Sequence, residues 1–197
     1  MVRLRSVAAA VVLALCTAGL AAAGGGLQFN GPTIKNPTVP PLFVLRDQDG
    51  HKVALAQQEG RVVLVTFLYT HCPDVCPLVA GNVNGALRAL GPRRRQVRAL
   101  AISVDPAGDT RASVRQFVRR HQLLPEFRYL TGPRAALRRL WAAYGVQSLK
   151  QAGGDRVDHT LYTLLLDRSL RGRVLYDSTA TAADIEHDTR LLLDAKS

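Results

Sequence analysis

The pattern of apolar and polar positions divides the chain into short strands and amphipathic helices. Two long apolar runs, at 62–69 (VVLVTFLY) and 97–104 (VRALAISV), are rich in β-branched side chains. Runs of this kind are typical of strands that a sheet buries on both faces. Shorter apolar stretches predict further strands at 43–45, 53–55, 127–130, 161–167 and 173–176.

Apolar residues at helical spacing predict helices at 76–90, 110–121, 133–144 and 182–193. Asp109 or Thr110 is suited to cap the second helix, and Pro133 is suited to the start of the third. Strand and helix alternate through the middle, and a hairpin plus a helix ends the chain. This order predicts an α/β, thioredoxin-like fold: a central mixed sheet flanked by helices, with extra N-terminal strands and a C-terminal β-hairpin plus helix.

The first residues carry the pattern of an export leader. Arg3 and Arg5 precede an apolar run at 7–20, and three small residues follow at 21–23. Residues 1–23 are therefore predicted to be a signal peptide or an N-terminal membrane anchor. The Gly-, Pro- and Asn-rich segment 24–41 predicts a flexible linker, which leaves 42–197 as the folded domain. We expect an exported protein, periplasmic or at the extracytoplasmic face of the cell membrane, secreted or anchored.

Composition indicates a folded protein with a basic surface. Apolar residues make up 47% of the chain, which is enough for a packed core, and the net charge is +11. Arginine supplies most of this charge, at spacings that indicate solvated helix faces. The alternative is attraction to anionic lipid headgroups or to an acidic partner. Export argues against a nucleic-acid partner.

The segment FLYTHCPDVCPLV at 67–79 carries the chemistry. Cys72 and Cys76 follow the first long strand and lie where a helix is predicted to begin. The positive end of the helix dipole favours thiolate, the form that attacks disulfides and binds soft metals. A disulfide across so short a loop would contribute little stability through chain entropy, so a structural role is disfavoured. A redox pair and a pair of metal ligands both remain open.

A metal site would need a third ligand, and His159 is the candidate among five histidines. It follows a glycine-containing loop and precedes an apolar strand, so this loop could carry it over the cysteines. His71 precedes Cys72 directly and is either a surface residue, a modifier of the thiolate or an alternative metal ligand. Spacing alone leaves the role of His159 open.

The chain resembles the Sco/SenC family of copper-delivery proteins. The resemblance is carried by FLYTHCPDVCP (67–77), SVDPAGDT (103–110), YLTG (129–132), YGV (144–146) and DHTLYTLLLDRSLRGRV (158–174). It implies a thioredoxin-like fold and one copper ion, Cu(I) or Cu(II), bound by Cys72, Cys76 and His159. Asp158 then either orients the imidazole or is a surface charge, and Asp74 either shapes the cysteine loop, contacts a partner or is an exposed turn residue.

The resemblance also implies a metallochaperone rather than an enzyme. Its expected role is to deliver copper to the binuclear copper centre of cytochrome c oxidase, with the copper-accepting subunit as partner. A thiol–disulfide reductase or another copper chaperone is a further expected partner. The alternative is an exported thiol–disulfide oxidoreductase that uses Cys72 and Cys76 to reduce copper-site cysteines and does not need His159.

Overall fold

The structure is a computed structural model that describes residues 26–150 and 157–195. This part of the chain forms nine β-strands and four α-helices. The strands are β1 (Val44–Arg46), β2 (Lys52–Ala54), β3 (Val62–Leu68), β4 (Val97–Ser103), β5 (Phe127–Leu130), β6 (Ser148–Lys150), β7 (Val157–His159), β8 (Thr163–Leu166) and β9 (Gly172–Tyr176). The helices are α1 (Val75–Ala89), α2 (Arg111–Arg120), α3 (Arg134–Ala143) and α4 (Ala182–Asp194).

A five-stranded mixed sheet with strand order β5-β4-β3-β8-β9 forms the core. Strand β3 is parallel to β4 and antiparallel to β8, and all seven of its residues are buried. Helix α1 packs against α4. The predicted thioredoxin-like fold is confirmed, with β1 and β2 as the extra N-terminal hairpin and β8, β9 and α4 as the C-terminal unit.

One strand pair was not predicted. Strands β6 and β7 form a separate antiparallel pair in which Ser148 lies opposite His159. Each strand has only three residues, and their pattern is too short to indicate a strand by itself. The pair matters because it fixes the position of His159 at the edge of the domain.

The segment that precedes β1 differs from the flexible linker predicted over 24–41. The Ile34 N–H donates to the carbonyl of Arg173 at 2.8 Å, and the Gly172 N–H donates to the carbonyl of Thr38 at 2.9 Å. These bonds cover β9, an edge strand whose backbone groups would otherwise lack partners on that side. The predicted leader at 1–23 lies outside the described residues, within which no helix is long and apolar enough to cross a membrane.

A buried carboxylate fixes the same segment. Asp188 is fully buried in α4 and accepts hydrogen bonds from the backbone N–H groups of Asn30 at 2.7 Å and Gly31 at 2.9 Å. It also accepts from the Tyr176 hydroxyl at 2.8 Å. Only glycine allows this approach at position 31, because a Cβ there would meet the Tyr176 ring and lie 2.5 Å from Val174 Cγ1.

We predict that Gly31→Ala lowers the free energy of unfolding by about 1–3 kcal/mol, the usual cost of forcing an extra carbon into a packed region. Urea unfolding followed by circular dichroism measures it. Gly81→Ala in α1 is the matched control, because a Cβ there meets no atom within 4 Å and alanine favours the helix. Equal stability of Gly31→Ala and the wild type would contradict the packing described.

Candidate metal centre

The two cysteines lie at the turn between β3 and α1. Asp74 caps the helix by accepting a hydrogen bond from the Val75 N–H, so Cys72 precedes the helix and Cys76 is its second residue. The Cys76 N–H points at Cys72 Sγ at 3.3 Å. Both side chains are buried and no disulfide joins them in this structure, with 7% of Cys72 and none of Cys76 exposed. The sheet therefore presents two sulfurs at the C-terminal end of its central strand.

His159 reaches the same place from β7. Its Nε2 lies 3.9 Å from Cys76 Sγ, and its Nδ1 lies 3.0 Å from the carbonyl oxygen of Thr160. A carbonyl oxygen can only accept, so this contact places the proton on Nδ1. In the neutral imidazole Nε2 then carries the lone pair that a metal ion would need.

The separation of these two atoms suits a shared ion. Typical bond lengths are about 2.3 Å from metal to sulfur and about 2.0 Å from metal to imidazole nitrogen. At tetrahedral or trigonal angles such bonds place the two ligand atoms roughly 3.5–3.7 Å apart. The observed 3.9 Å between Cys76 Sγ and His159 Nε2 therefore needs little movement.

The environment favours one thiolate. The hydrogen bond from the Cys76 thiol lowers the pKa of Cys72 to about 6, and backbone N–H groups of Cys76 and Asp74 act in the same direction against the effect of burial. The same hydrogen bond and burial raise the pKa of Cys76 well above its usual range. At neutral pH the pair thus carries a single negative charge, located on Cys72.

Tyr69 is a site residue that the sequence did not single out. It ends the run that leads into the cysteine loop, and its hydroxyl hydrogen-bonds to Cys72, while burial raises its own pKa to about 12. Its ring meets the His159 ring edge-on, with centroids 5.8 Å apart. Tyr69, Cys72 and His159 line one open cleft of about 220 Å³, so an ion bound there would remain accessible.

Asp109 is a second residue near the cysteines whose role the sequence did not indicate. It was considered as a helix cap, but Thr110 caps α2 by accepting from the Ser113 N–H. Asp109 is instead buried and accepts from the Thr70 N–H at 2.7 Å and the Ser103 hydroxyl at 2.6 Å. Burial raises its pKa. These bonds tie the start of the cysteine loop to the end of β4.

The other predicted residues take minor positions. His71 is exposed, and its Nδ1 lies 3.2 Å from the Thr70 hydroxyl. Asp74 shapes the loop as the cap of α1 and lies 3.9 Å from Cys72 Sγ through Oδ1. The side chain of Asp158 lies outside the described residues, so its orienting role stays a prediction.

A second group of potential ligands occurs in the turn between β1 and β2. Ligand atoms of Asp47, Asp49 and His51 lie within 4.8 Å of one another. However, Asp47 Oδ1 already accepts the backbone N–H groups of Asp49 and His51, each at 2.9 Å. These bonds are those of a polar turn, which explains the cluster without a metal.

A thioredoxin-like domain with a histidine next to a cysteine pair, at an open cleft lined by one of the cysteines and the histidine, defines a class of proteins that handle thiols and soft metals. The SCO1/SenC family model matches residues 32–194. The chain therefore belongs to the SCO1/SenC family.

Individual relatives agree with this assignment. The SenC protein of Rhodobacter capsulatus is 31% identical over 156 residues, which cover 78% of this chain and 70% of the relative. The solved structure of Bradyrhizobium japonicum ScoI, which has copper bound, is 31% identical with a TM-score of 0.69, covering 78% of this chain and 98% of ScoI. Apo Sco1 of Thermus thermophilus is 30% identical with a TM-score of 0.69, covering 85% of this chain and 98% of Sco1.

We predict that the reduced protein gains one thiolate as the pH rises through about 6, well below the ordinary thiol value of 9.0. Absorbance at 240 nm measures it, in a Cys16→Ser background that leaves only Cys72 and Cys76. All five tyrosines have raised pKa values and stay protonated in this range.

Two variants assign the transition to its cause. Cys72→Ala should abolish it, and Cys76→Ala should move it toward 9 because the thiol that donates to Cys72 is lost. A transition near 9 in the protein with both cysteines would show that the hydrogen bond between them does not form in solution.

Proposed function

We propose that the protein is a copper metallochaperone that holds one copper ion through Cys72, Cys76 and His159 and delivers it to the binuclear copper centre of cytochrome c oxidase. The observation that carries the proposal is the 3.9 Å approach of His159 Nε2 to Cys76 Sγ, next to the Cys72 thiolate. Membership of the SCO1/SenC family and the copper-bound ScoI relative support copper as the ion.

The ligand chemistry supports the same ion. Two sulfurs and one imidazole form a soft site of low coordination, which suits Cu(I) and, with an added ligand, Cu(II). A closed structural zinc site would instead have four protein ligands. The open cleft leaves one side of the ion accessible, so a recipient can bind it before the donor ligands release it.

The leader pattern supports an extracytoplasmic location, secreted or anchored through residues 1–23. There the recipient is the copper-accepting subunit of the oxidase. A thiol–disulfide reductase or another copper chaperone is the partner that would keep Cys72 and Cys76 reduced or loaded.

One observation favours a second function. The lowered pKa of Cys72 and the hydrogen bond to Cys76 are features of a redox-active pair, with Cys72 as the attacking thiolate and Cys76 as the resolving thiol. In this alternative, Cys72 attacks a disulfide of an exported protein to form a mixed disulfide. Cys76 then displaces the reduced protein and leaves a Cys72–Cys76 disulfide. His159 contributes nothing essential to these steps.

We predict that the reduced full chain, in the Cys16→Ser background, binds one Cu(I) per molecule in anaerobic competition with a chelator. His159→Ala should weaken binding by more than about 100-fold, because loss of a direct ligand costs more than loss of a residue that only orients one. His71→Ala is the matched control, since that histidine is exposed next to Cys72.

Equal copper affinity in wild type and His159→Ala would overturn the three-ligand site. If His159→Ala then also reduced a disulfide substrate at the wild-type rate, the cysteine pair would be assigned as a redox couple. Loss of copper binding in His71→Ala would mean that the proposal names the wrong histidine as the ligand.

A further inference from the structure

A cleft of about 370 Å³ lies at the opposite end of the sheet from the cysteines. It opens where β3 begins, whereas Cys72 follows the end of that strand, and the seven residues of β3 span roughly 20 Å. Four cationic side chains and a single carboxylate, that of Asp47, line it. The cations are Lys52, Arg61, Arg98 and Arg128.

The sheet itself brings the three arginines together. Val63 of β3 is paired with Arg98 of β4, and Leu100 of β4 is paired with Arg128 of β5. Since alternate side chains share a face, Arg98 and Arg128 project from the same face, and Arg61 lies two residues before Val63 on that face. The cluster is therefore a product of strand register and not a run of neighbouring arginines.

Three of these four cations have no hydrogen-bond or ion-pair partner among the residues that the structure describes. Arg128 Nη1 lies 3.3 Å from Asp47 Oδ2, and Asp47 also accepts two backbone N–H groups. Within residues 26–150 and 157–195, no hydrogen bond or ion pair is made by the guanidinium of Arg61 or Arg98 or by the ammonium group of Lys52. Burial lowers the pKa of Arg98, as do the charges of Arg128 and Arg61, and the opposing effect of Glu126 is smaller than each of these.

An arrangement of this kind is unfavourable without an anion. A guanidinium stays charged in proteins, so burial and like-charge repulsion cannot be relieved by loss of the proton. We propose that this cleft binds a phosphate-type oxyanion through Arg98 and Arg61, with Arg128 and Lys52 at its edge. The planar guanidinium donates two parallel hydrogen bonds to such an anion. An excess of cations over carboxylates favours a multiply charged anion over a single carboxylate.

The same chemistry has two sources, free phosphate and the phosphate of an anionic lipid headgroup. The first arm of the test measures the unfolding temperature of the full chain in inorganic phosphate and in sodium chloride of equal ionic strength. The second arm measures co-sedimentation with vesicles of phosphatidylcholine alone and with added phosphatidylglycerol. Both arms compare wild type, Arg98→Gln, Arg61→Gln and the control Arg120→Gln, which removes one exposed charge of α2.

We expect phosphate to raise the unfolding temperature of the wild type and of Arg120→Gln above the value in chloride. In Arg98→Gln and Arg61→Gln, the phosphate affinity should be roughly 10- to 100-fold weaker, the loss expected for one charge-assisted hydrogen bond. In chloride these two variants should be at least as stable as the wild type, because repulsion is relieved. Both variants should bind Cu(I) as the wild type does. This result would show that they are folded and that the anion site is independent of the cysteine site.

The arms also identify the source. If binding to phosphatidylglycerol vesicles falls in Arg98→Gln but not in Arg120→Gln, the ligand is the lipid headgroup. If phosphate raises the unfolding temperature but the vesicles are not bound in this way, the ligand is free phosphate. If all four proteins respond equally to phosphate and to vesicles, or if none responds, the cleft is not an anion site and the proposal is overturned.

Discussion

The burial of β3 is the constraint on which the rest of the molecule depends. All seven of its residues are buried, with β4 on one side and β8 on the other. A strand in this position has no freedom of register, because a shift of one residue would move every side chain to the opposite face. Its two ends are therefore fixed points: Arg61 precedes one end, and Tyr69 and the cysteine loop follow the other.

At the C-terminal end this rigidity fixes the position of the cysteine loop. The loop that carries Cys72 is fixed at its base by the bond between the Thr70 N–H and the buried Asp109, and at its tip by the cap that Asp74 provides. His159 comes from a different element, the β6–β7 pair, and approaches from the open side of the cleft. The two cysteines are thus held by the core, and His159, the third proposed ligand, lies on a small sheet at its edge.

The hydrogen bond within the cysteine pair determines the charge of the site. The hydrogen bond from Cys76 to Cys72 lowers the pKa of one thiol and raises that of the other, so the pair is singly charged near neutral pH. A cation that bound both sulfurs, as proposed, would displace the remaining proton. A disulfide substrate would be attacked by the same thiolate. A copper carrier and a thiol reductant therefore need the same cysteine pair.

The sequence by itself determined the order of elements, the buried strands and the cysteine pair, because apolar runs and a local motif do not depend on distant contacts. Its resemblance to a family implied the ligand role of His159, which spacing left open. Only the tertiary structure decided that β6 and β7 pair, that segment 30–38 lies along β9, and that Asp109 reaches Thr70. It likewise gathered Arg61, Arg98 and Arg128, which lie far apart in the chain, because strand register and not sequence distance sets which side chains share a face.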